Sequence, residues 1–408
     1  MQFKISGAES ALLNFAGEFS LNFTTTGRVR GTFTLEALQN ALERLRQRHP
    51  LLATRMAPAT ESAPACLTTE GVPPIPLRVV ERQSDDDWLR EVEREIVIPT
   101  KYATGPMLRC VWVRGADFSD LVLVCDHMAG DGLAGVYALR TLLELLADST
   151  LEMEPLVPPD LIDVLPPDML TLMRQILASI PTPQDKPTGP RPERPIFHHP
   201  LCILSFDLNE AETSALVKCC RAEGTTVQAA LCTAFSLQFA AQHPDQPIRK
   251  IESPINLRPR LIPTSEEVYG NYISLLNTDI DCTPGLAHAW DIARQVRHSL
   301  QNVTDEQIYT IPLMLMNVAD KPLMGAVVEI NYDLSLSNLG RVTIPTDYGA
   351  LHLESIHAPT MAPASPNHRI LGVTTFEGQL RCTFASYDPE APNILRRTHE
   401  IITTMLAA

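Results

Sequence analysis

The residues in this chain best suited to do chemistry are Asp126-His127-Met128-Ala129-Gly130-Asp131-Gly132. An apolar, β-branched run, Leu121 to Cys125, leads straight into the histidine and reads as a buried strand. From Leu133 to Leu146 apolar residues recur at helical spacing, with Gly135 the only breaker. His127 therefore belongs where a core strand ends and a helix begins. A scaffold can hold a polar ring there and still let it face a cavity. Such an imidazole can take a proton from an attacking hydroxyl or amine, because its ordinary pKa lies near neutrality. The four-residue spacing across a strand-to-helix turn points the Asp131 carboxylate away from the ring, towards a cation in another segment. Gly132 would permit a close or unusual backbone path. On these residues alone a plainer reading stays open: a satisfied core histidine followed by an Asp-Gly turn in which Asp131 caps the helix. Metal binding has less support, since no neighbouring His or Cys completes a set of three or four ligands.

The heptapeptide resembles the His-His-x-x-x-Asp-Gly signature of the chloramphenicol acetyltransferase-like superfamily. That group holds CoA-dependent acyltransferases, peptide-synthetase condensation domains, alcohol acyltransferases and BAHD acyltransferases. The family's base maps onto His127, and Asp126 stands in place of the first histidine, which BAHD enzymes also lack. Four further segments agree in order and spacing. Gly31 to Leu38, running to Arg48-His49-Pro50-Leu51-Leu52, is similar to the N-terminal strand, helix and Arg-His-Pro-Leu stretch of alcohol acyltransferases. Thr225 to Leu231 resembles the start of the first helix of the second domain. Pro254 to Leu261 and Tyr269-Gly270-Asn271-Tyr272 resemble the BAHD Asp-x-Arg-x-Arg and Gly-Asn block. Ser337-Asn338-Leu339-Gly340-Arg341 with Tyr348-Gly349 resembles the C-terminal block of alcohol acyltransferases and mycobacterial polyketide-associated acyltransferases. The BAHD Asp-Phe-Gly-Trp-Gly motif is absent, which places the chain nearer the bacterial alcohol-acyltransferase and condensation-type branch.

The resemblance implies an α/β fold: two chloramphenicol acetyltransferase-like lobes, each an α/β sandwich, meeting along a central tunnel. It implies an acyl donor bound as a thioester, acyl-CoA or the phosphopantetheine arm of an acyl carrier protein, with no tightly bound cofactor and no metal. The acceptor is then a hydroxyl of a secondary metabolite or lipid alcohol, with His127 as general base. No Ser or Cys has a G-x-S-x-G setting, so no covalent acyl-enzyme is expected. Asp131 is expected to pair with a guanidinium, Arg258 first and Arg260 second. Ser337 or Asn338 would donate to the oxyanion, unless Ser-Asn-Leu-Gly is only a turn. Asp126 would raise the basicity of His127, touch an acceptor amine, or simply cap the strand end. An amide-forming condensation enzyme, a carrier-protein docking module without activity, and a metal-dependent hydrolase are the competing readings.

The elements needed to hold these residues are legible. At 408 residues the chain exceeds one usual core, and 45% hydrophobic with 20% charged residues suffices for two. Between Pro155 and Pro200 lie twelve prolines, which mark a stiff crossover linker over 156–200 between an N-terminal lobe, 1–155, and a C-terminal lobe, 201–408. Helices are expected at Glu36–Gln47, Asp85–Ile96, Leu133–Leu146, Met169–Ile180, Glu210–Arg221, Val227–Ala241, Leu286–Leu300, Glu306–Met316 and Pro392–Leu406. Strands are expected at Ile75–Val80, Met107–Val113, Leu121–Cys125, Leu201–Phe206, Lys250–Ile255, Asn271–Asn277, Ala326–Tyr332, Ile370–Phe376 and Gln379–Tyr387. Arg44, Arg46 and Arg48 read as the solvated face of the first helix, and His198-His199 as linker residues. A net charge of −15 argues against general nucleic-acid binding. No apolar run reaches membrane-spanning length, the N-terminus lacks a signal-peptide pattern, and nine cysteines without C-x-x-C pairs suit reduced thiols, so a cytoplasmic location is expected.

Overall fold

A computed structural model describes residues 1–5, 20–60, 65–169, 171, 175, 197–262, 267–305, 307–308 and 332–407. Its first half runs β1 (Gln2–Lys4), β2 (Asn22–Arg30), α1 (Leu35–Arg48), β3 (Arg55–Ala57), β4 (Cys66–Thr68), β5 (Leu77–Glu81), α2 (Asp87–Ile96), β6 (Leu108–Arg114), β7 (Phe118–Asp126) and α3 (Gly132–Ala147). After a short helix α4 (Leu161–Val164), the second half runs β8 (Cys202–Leu208), α5 (Glu210–Ala222), α6 (Val227–Gln242), β9 (Ile248–Asn256), β10 (Ile273–Asp281), α7 (Ala289–Gln301) and β11 (Leu334–Arg341). It closes with β12 (Asp347–Tyr348), β13 (Leu351–Met361), β14 (Arg369–Phe376), β15 (Gln379–Ser386) and α8 (Ala391–Ala407).

The strands form two six-stranded mixed sheets, β12-β13-β2-β7-β6-β5 and β10-β9-β11-β14-β15-β8, beside a small β1-β4-β3 sheet. Most of the first sheet comes from the N-terminal half, but β12 and β13 come from the other. β13 pairs antiparallel with β2, placing His352 opposite Arg30 and Met361 opposite Phe23. One hairpin thus crosses from the second lobe into the first. Neither β2, β11 nor β13 is among the strands expected from pattern. Most of the expected Glu306–Met316 helix, Ala326–Tyr332 strand and Met169–Ile180 helix lies outside the described residues.

Strand β7 shows why its sequence is continuously apolar. Leu121, Leu123 and Cys125 pack into a core with α1 and α3, while Val122 and Val124 face a second core with Trp88, Ile203 and Ile370. Both faces are covered, so the period-two polar alternation of a half-exposed strand is missing. The helices behind obey the expected spacing: α1 buries Leu38, Ala41, Leu42 and Leu45, and the Thr34 hydroxyl accepts from the Ala37 N–H as its N-cap. The polar face of α1 is not simply solvated, however. Arg44 donates to the Ser149 and Leu151 carbonyls, Arg46 to those of Val72 and Pro73, and Arg48 to that of Glu154. Long stems reach past the helix to satisfy loop carbonyls, which the charge pattern alone cannot reveal. His198 and His199 are exposed, and all nine cysteines are free.

Candidate active site

His127 follows the last residue of β7, and its position is set from both sides. Its N–H donates to the Leu21 carbonyl at 3.0 Å, and its own carbonyl accepts from Asn271 Nδ2, in the other lobe, at 2.9 Å. The ring is half-buried and lies 5.0 Å, centroid to centroid, from the tilted ring of Phe23 on β2. Burial pushes its pKa below the usual histidine value, while the charges of Asp131 and Asp126 oppose that shift. Burial thus favours the neutral imidazole, the form a base requires.

Asp131 is 1% exposed and makes three bonds. Oδ1 caps α3 by accepting from the Ala134 N–H at 3.0 Å. Oδ2 accepts from Arg258 Nη1 at 2.7 Å and from the Tyr272 N–H at 2.9 Å. The helix-cap and ion-pair readings thus hold together, and the carboxylate's bonds run to backbone and guanidinium rather than to the ring. Arg258, 1% exposed, also donates to the Gly270 carbonyl at 2.9 Å, and its guanidinium lies 5.0 Å from the centroid of the Tyr272 ring. Arg260, the second choice, points elsewhere and pairs with Asp305 near the surface at 3.2 Å.

Gly132 has ordinary backbone angles, so no left-handed conformation calls for glycine there. The requirement is space: a Cβ would come within 3.2 Å of Leu339 Cδ2 and 3.6 Å of Pro359 Cβ, both from the C-terminal half. Gly130 is tighter, with Tyr269 Cε1 2.6 Å from where a Cβ would be.

Between the lobes lies a cavity of about 140 Å³. The first sheet and α3 contribute Phe23, His127, Asp131, Gly132 and Leu133, and the crossing strand contributes Pro359, Thr360 and Met361. The second sheet contributes Pro254 to Asn256, Ser335, Ser337, Asn338, Leu339 and Ile370, with Arg258 and Ile273 beside them. Ser337 and Asn338 thus face the same cavity as His127. They sit on a strand, not in a turn, and Asn338 Oδ1 accepts from the Gly340 N–H at 2.8 Å.

Asp126 does not reach the cavity, which corrects the expected substrate contact. It is 0% exposed, accepting from the Met128 N–H at 2.9 Å and from the Tyr102 hydroxyl at 3.0 Å. The strand-end cap is what it forms, with its carboxylate turned to the Met128 N–H and the Tyr102 hydroxyl. Among cavity-lining residues, Ser335 was not singled out by motif. Its hydroxyl donates to Glu252 Oε1 at 3.0 Å, and burial pushes the Glu252 carboxyl up to about 7. Nothing local in Ile-Glu-Ser-Pro or Leu-Ser-Leu-Ser marks that pair, because it depends on β9 lying beside β11.

Residues 203–384 match the family described as phthiocerol/phthiodiolone dimycocerosyl transferase C-terminus. Among curated proteins none matches by sequence. Solved structures are similar over essentially the whole chain. Polyketide synthase associated protein 5 from Mycobacterium tuberculosis is 15% identical, with a TM-score of 0.65, covering 99% of this chain and 98% of its own. Trichothecene 15-O-acetyltransferase from Fusarium sporotrichioides is 14% identical, with a TM-score of 0.71 and coverage of 99% and 95%. The first condensation domain of the CDA synthetase is 14% identical, with a TM-score of 0.67 and coverage of 100% and 95%. With its two six-stranded sheets and interlobe cleft, the chain has the fold of these acyltransferases and condensation domains, and its second half matches the acyltransferase family model.

Proposed function

We propose that the protein transfers an acyl group from a thioester to a hydroxyl, with His127 as general base. The observation that carries this reading is a half-buried imidazole, its pKa lowered by burial, facing a cavity lined by both lobes. A ring nitrogen of His127 takes the acceptor's proton as its oxygen attacks the thioester carbonyl carbon. The tetrahedral oxyanion then collapses, the C–S bond breaks, and the imidazolium returns the proton to the departing thiolate. No acyl-enzyme forms. Ser337 and the amide N–H₂ of Asn338 supply donors for the oxyanion, Asn338 Oδ1 being held by Gly340. Asp131 and Arg258 do not touch the reacting atoms in this scheme; they fix the loop that carries His127 to the other lobe.

The donor is acyl-CoA or the phosphopantetheine thioester of a carrier protein. The acceptor is an alcohol of a secondary metabolite or lipid, an apolar molecule suited to walls such as Phe23, Leu133, Ile273, Leu339 and Met361. Enclosure between lobes would favour transfer over hydrolysis by excluding water. An amine acceptor would use the same base, and the condensation-domain fold likeness keeps that second reading in view. Purified protein incubated with short- and medium-chain acyl-CoAs and a panel of alcohols and amines separates the two. Ester products by mass spectrometry are expected; amides alone would reject the acceptor class, and no product from any pair would reject the free-CoA donor.

A further inference from the structure

We propose that Ser335, oriented by Glu252, reads a second hydrogen-bond donor on the acceptor molecule, close to the hydroxyl that reacts. The word acceptor rests on the acyl-transfer reading, but the recognition itself is a binding property and is separable from it. β11 runs parallel to β9 with Ser335 in register with Glu252, and the Ser335 hydroxyl donates to Glu252 Oε1 at 3.0 Å. Both residues are 7% exposed, and the Tyr332 hydroxyl bonds the same carboxyl. Glu252 precedes Pro254 by two positions, so it shares the strand face that lines the cavity. Ser335 itself lines that cavity together with His127.

A serine hydroxyl has one proton and two lone pairs. Where the Glu252 carboxyl is ionised and can only accept, the serine proton is committed to it, and Ser335 presents only accepting capacity to a ligand. In a mostly apolar wall, a bound molecule with no donor at that point leaves a desolvated oxygen unpaired, whereas one with an O–H or N–H there satisfies it. Sites of this kind discriminate strongly against the analogue that lacks the donor.

The test measures binding to the full-length protein at pH 8.5, where Glu252 is ionised, without any acyl donor, by ligand-observed NMR, using hexane-1,2-diol, 2-methoxyhexan-1-ol and 1-hexanol. The wild type is expected to bind the diol roughly 3- to 10-fold more tightly than either of the others, the range a neutral hydrogen bond gives. Ser335→Ala should reduce that ratio to near one. Glu252→Gln, whose amide oxygen still accepts from Ser335, should keep the preference. Glu252→Leu, which frees the serine proton, should lose it; thermal melts confirm that each variant is folded. Equal binding of diol and methyl ether by the wild type, or a preference that survives Ser335→Ala, overturns the proposal. Failure of acyl transfer with every acceptor would instead overturn the catalytic reading, while the Kd ratios decide the role of Ser335 by themselves.

Discussion

Asp131 illustrates how one carboxylate can tie a helix cap, a buried guanidinium and the other lobe together. Removing it strands the Arg258 guanidinium, 1% exposed, and unpairs the α3 cap and the Tyr272 N–H at the same time. A buried pair adds little net stability, but breaking one side of it costs about 3–5 kcal/mol. Asp131→Ala is therefore expected to lower the thermal midpoint markedly, whereas His127→Ala, at a half-buried ring, should melt close to the wild type. Differential scanning fluorimetry of the two variants side by side checks this, and an unchanged midpoint for Asp131→Ala would contradict it. The ring's own titration gives a second expectation. Only the neutral form can accept a proton, and burial lowers the pKa of His127 below 6.5. The profile of kcat/KM should therefore still exceed half its plateau at pH 6.5 and decline only in more acidic buffer. A midpoint above pH 7 would mean that another group governs the rate.

At the scale of elements, the site depends on β13 lying between the two sheets' territories. Gly372 on β14 faces it so closely that a Cβ would sit 2.0 Å from the Pro359 carbonyl oxygen. The obstacle is backbone, so the strands would have to separate. Gly372→Ala should cost about 1–3 kcal/mol of unfolding free energy and should displace Pro359 and Thr360, which line the cavity. Urea denaturation of the variant measures that cost; a midpoint equal to the wild type's would show that β13 yields freely. The same strand marks where sequence reasoning stops. Helices α1, α2, α3, α5 and α6 were legible to within a residue or two, because their apolar spacing is regular and all but α2 carry a side-chain N-cap. β7 was legible because it is apolar on both faces. β13 was not: its pairing with β2 shifts register between Leu353 and Ser355 and again between His357 and Thr360, and Pro359 interrupts it. In β11 the composition of Ser-Asn-Leu-Gly suits a turn as well as a strand, and Gly340 takes a left-handed φ of 70° within a bulged ladder. In the site, His127, Asp131 and Arg258 could be picked by motif, and the expected pairing of Asp131 with Arg258 rather than with the ring is the one found. Glu252 and Ser335 were invisible, since only a parallel pairing of distant strands brings them together.

Across the whole molecule, the two halves are joined by polar contacts around one cleft: Asp131 with Arg258, the His127 carbonyl with Asn271, and Arg140 with Glu267 through two bonds of 2.9 Å. Burial also leaves the fold with several neutral histidines. His49 is pushed down to about 3 and His368 to about 4, and His357, stacked on Trp88 with ring centroids 3.7 Å apart, well below its usual value. In the unfolded chain these rings protonate near pH 6.5, while in the fold they do not until much lower pH. Below about 6.5 the unfolded state therefore binds more protons, and stability falls by about 1.4 kcal/mol per pH unit for each such ring. Glu252, raised to about 7 from 4.5, slopes the other way, its contribution being lost as pH rises through that window. Three strongly shifted rings outweigh it, so the thermal midpoint should drop between pH 6.5 and 5.5; a flat or rising midpoint would contradict the burial of these histidines. The role of His127 as base is tested by the rate of ester formation from an acyl thioester and an accepted alcohol by wild type and His127→Ala at pH 7, with intact-mass spectra of both proteins. A fall of about 10²- to 10⁴-fold in rate, with no acyl adduct on either protein, is the result predicted. An undiminished rate in His127→Ala, or a stable acyl-enzyme, would contradict it.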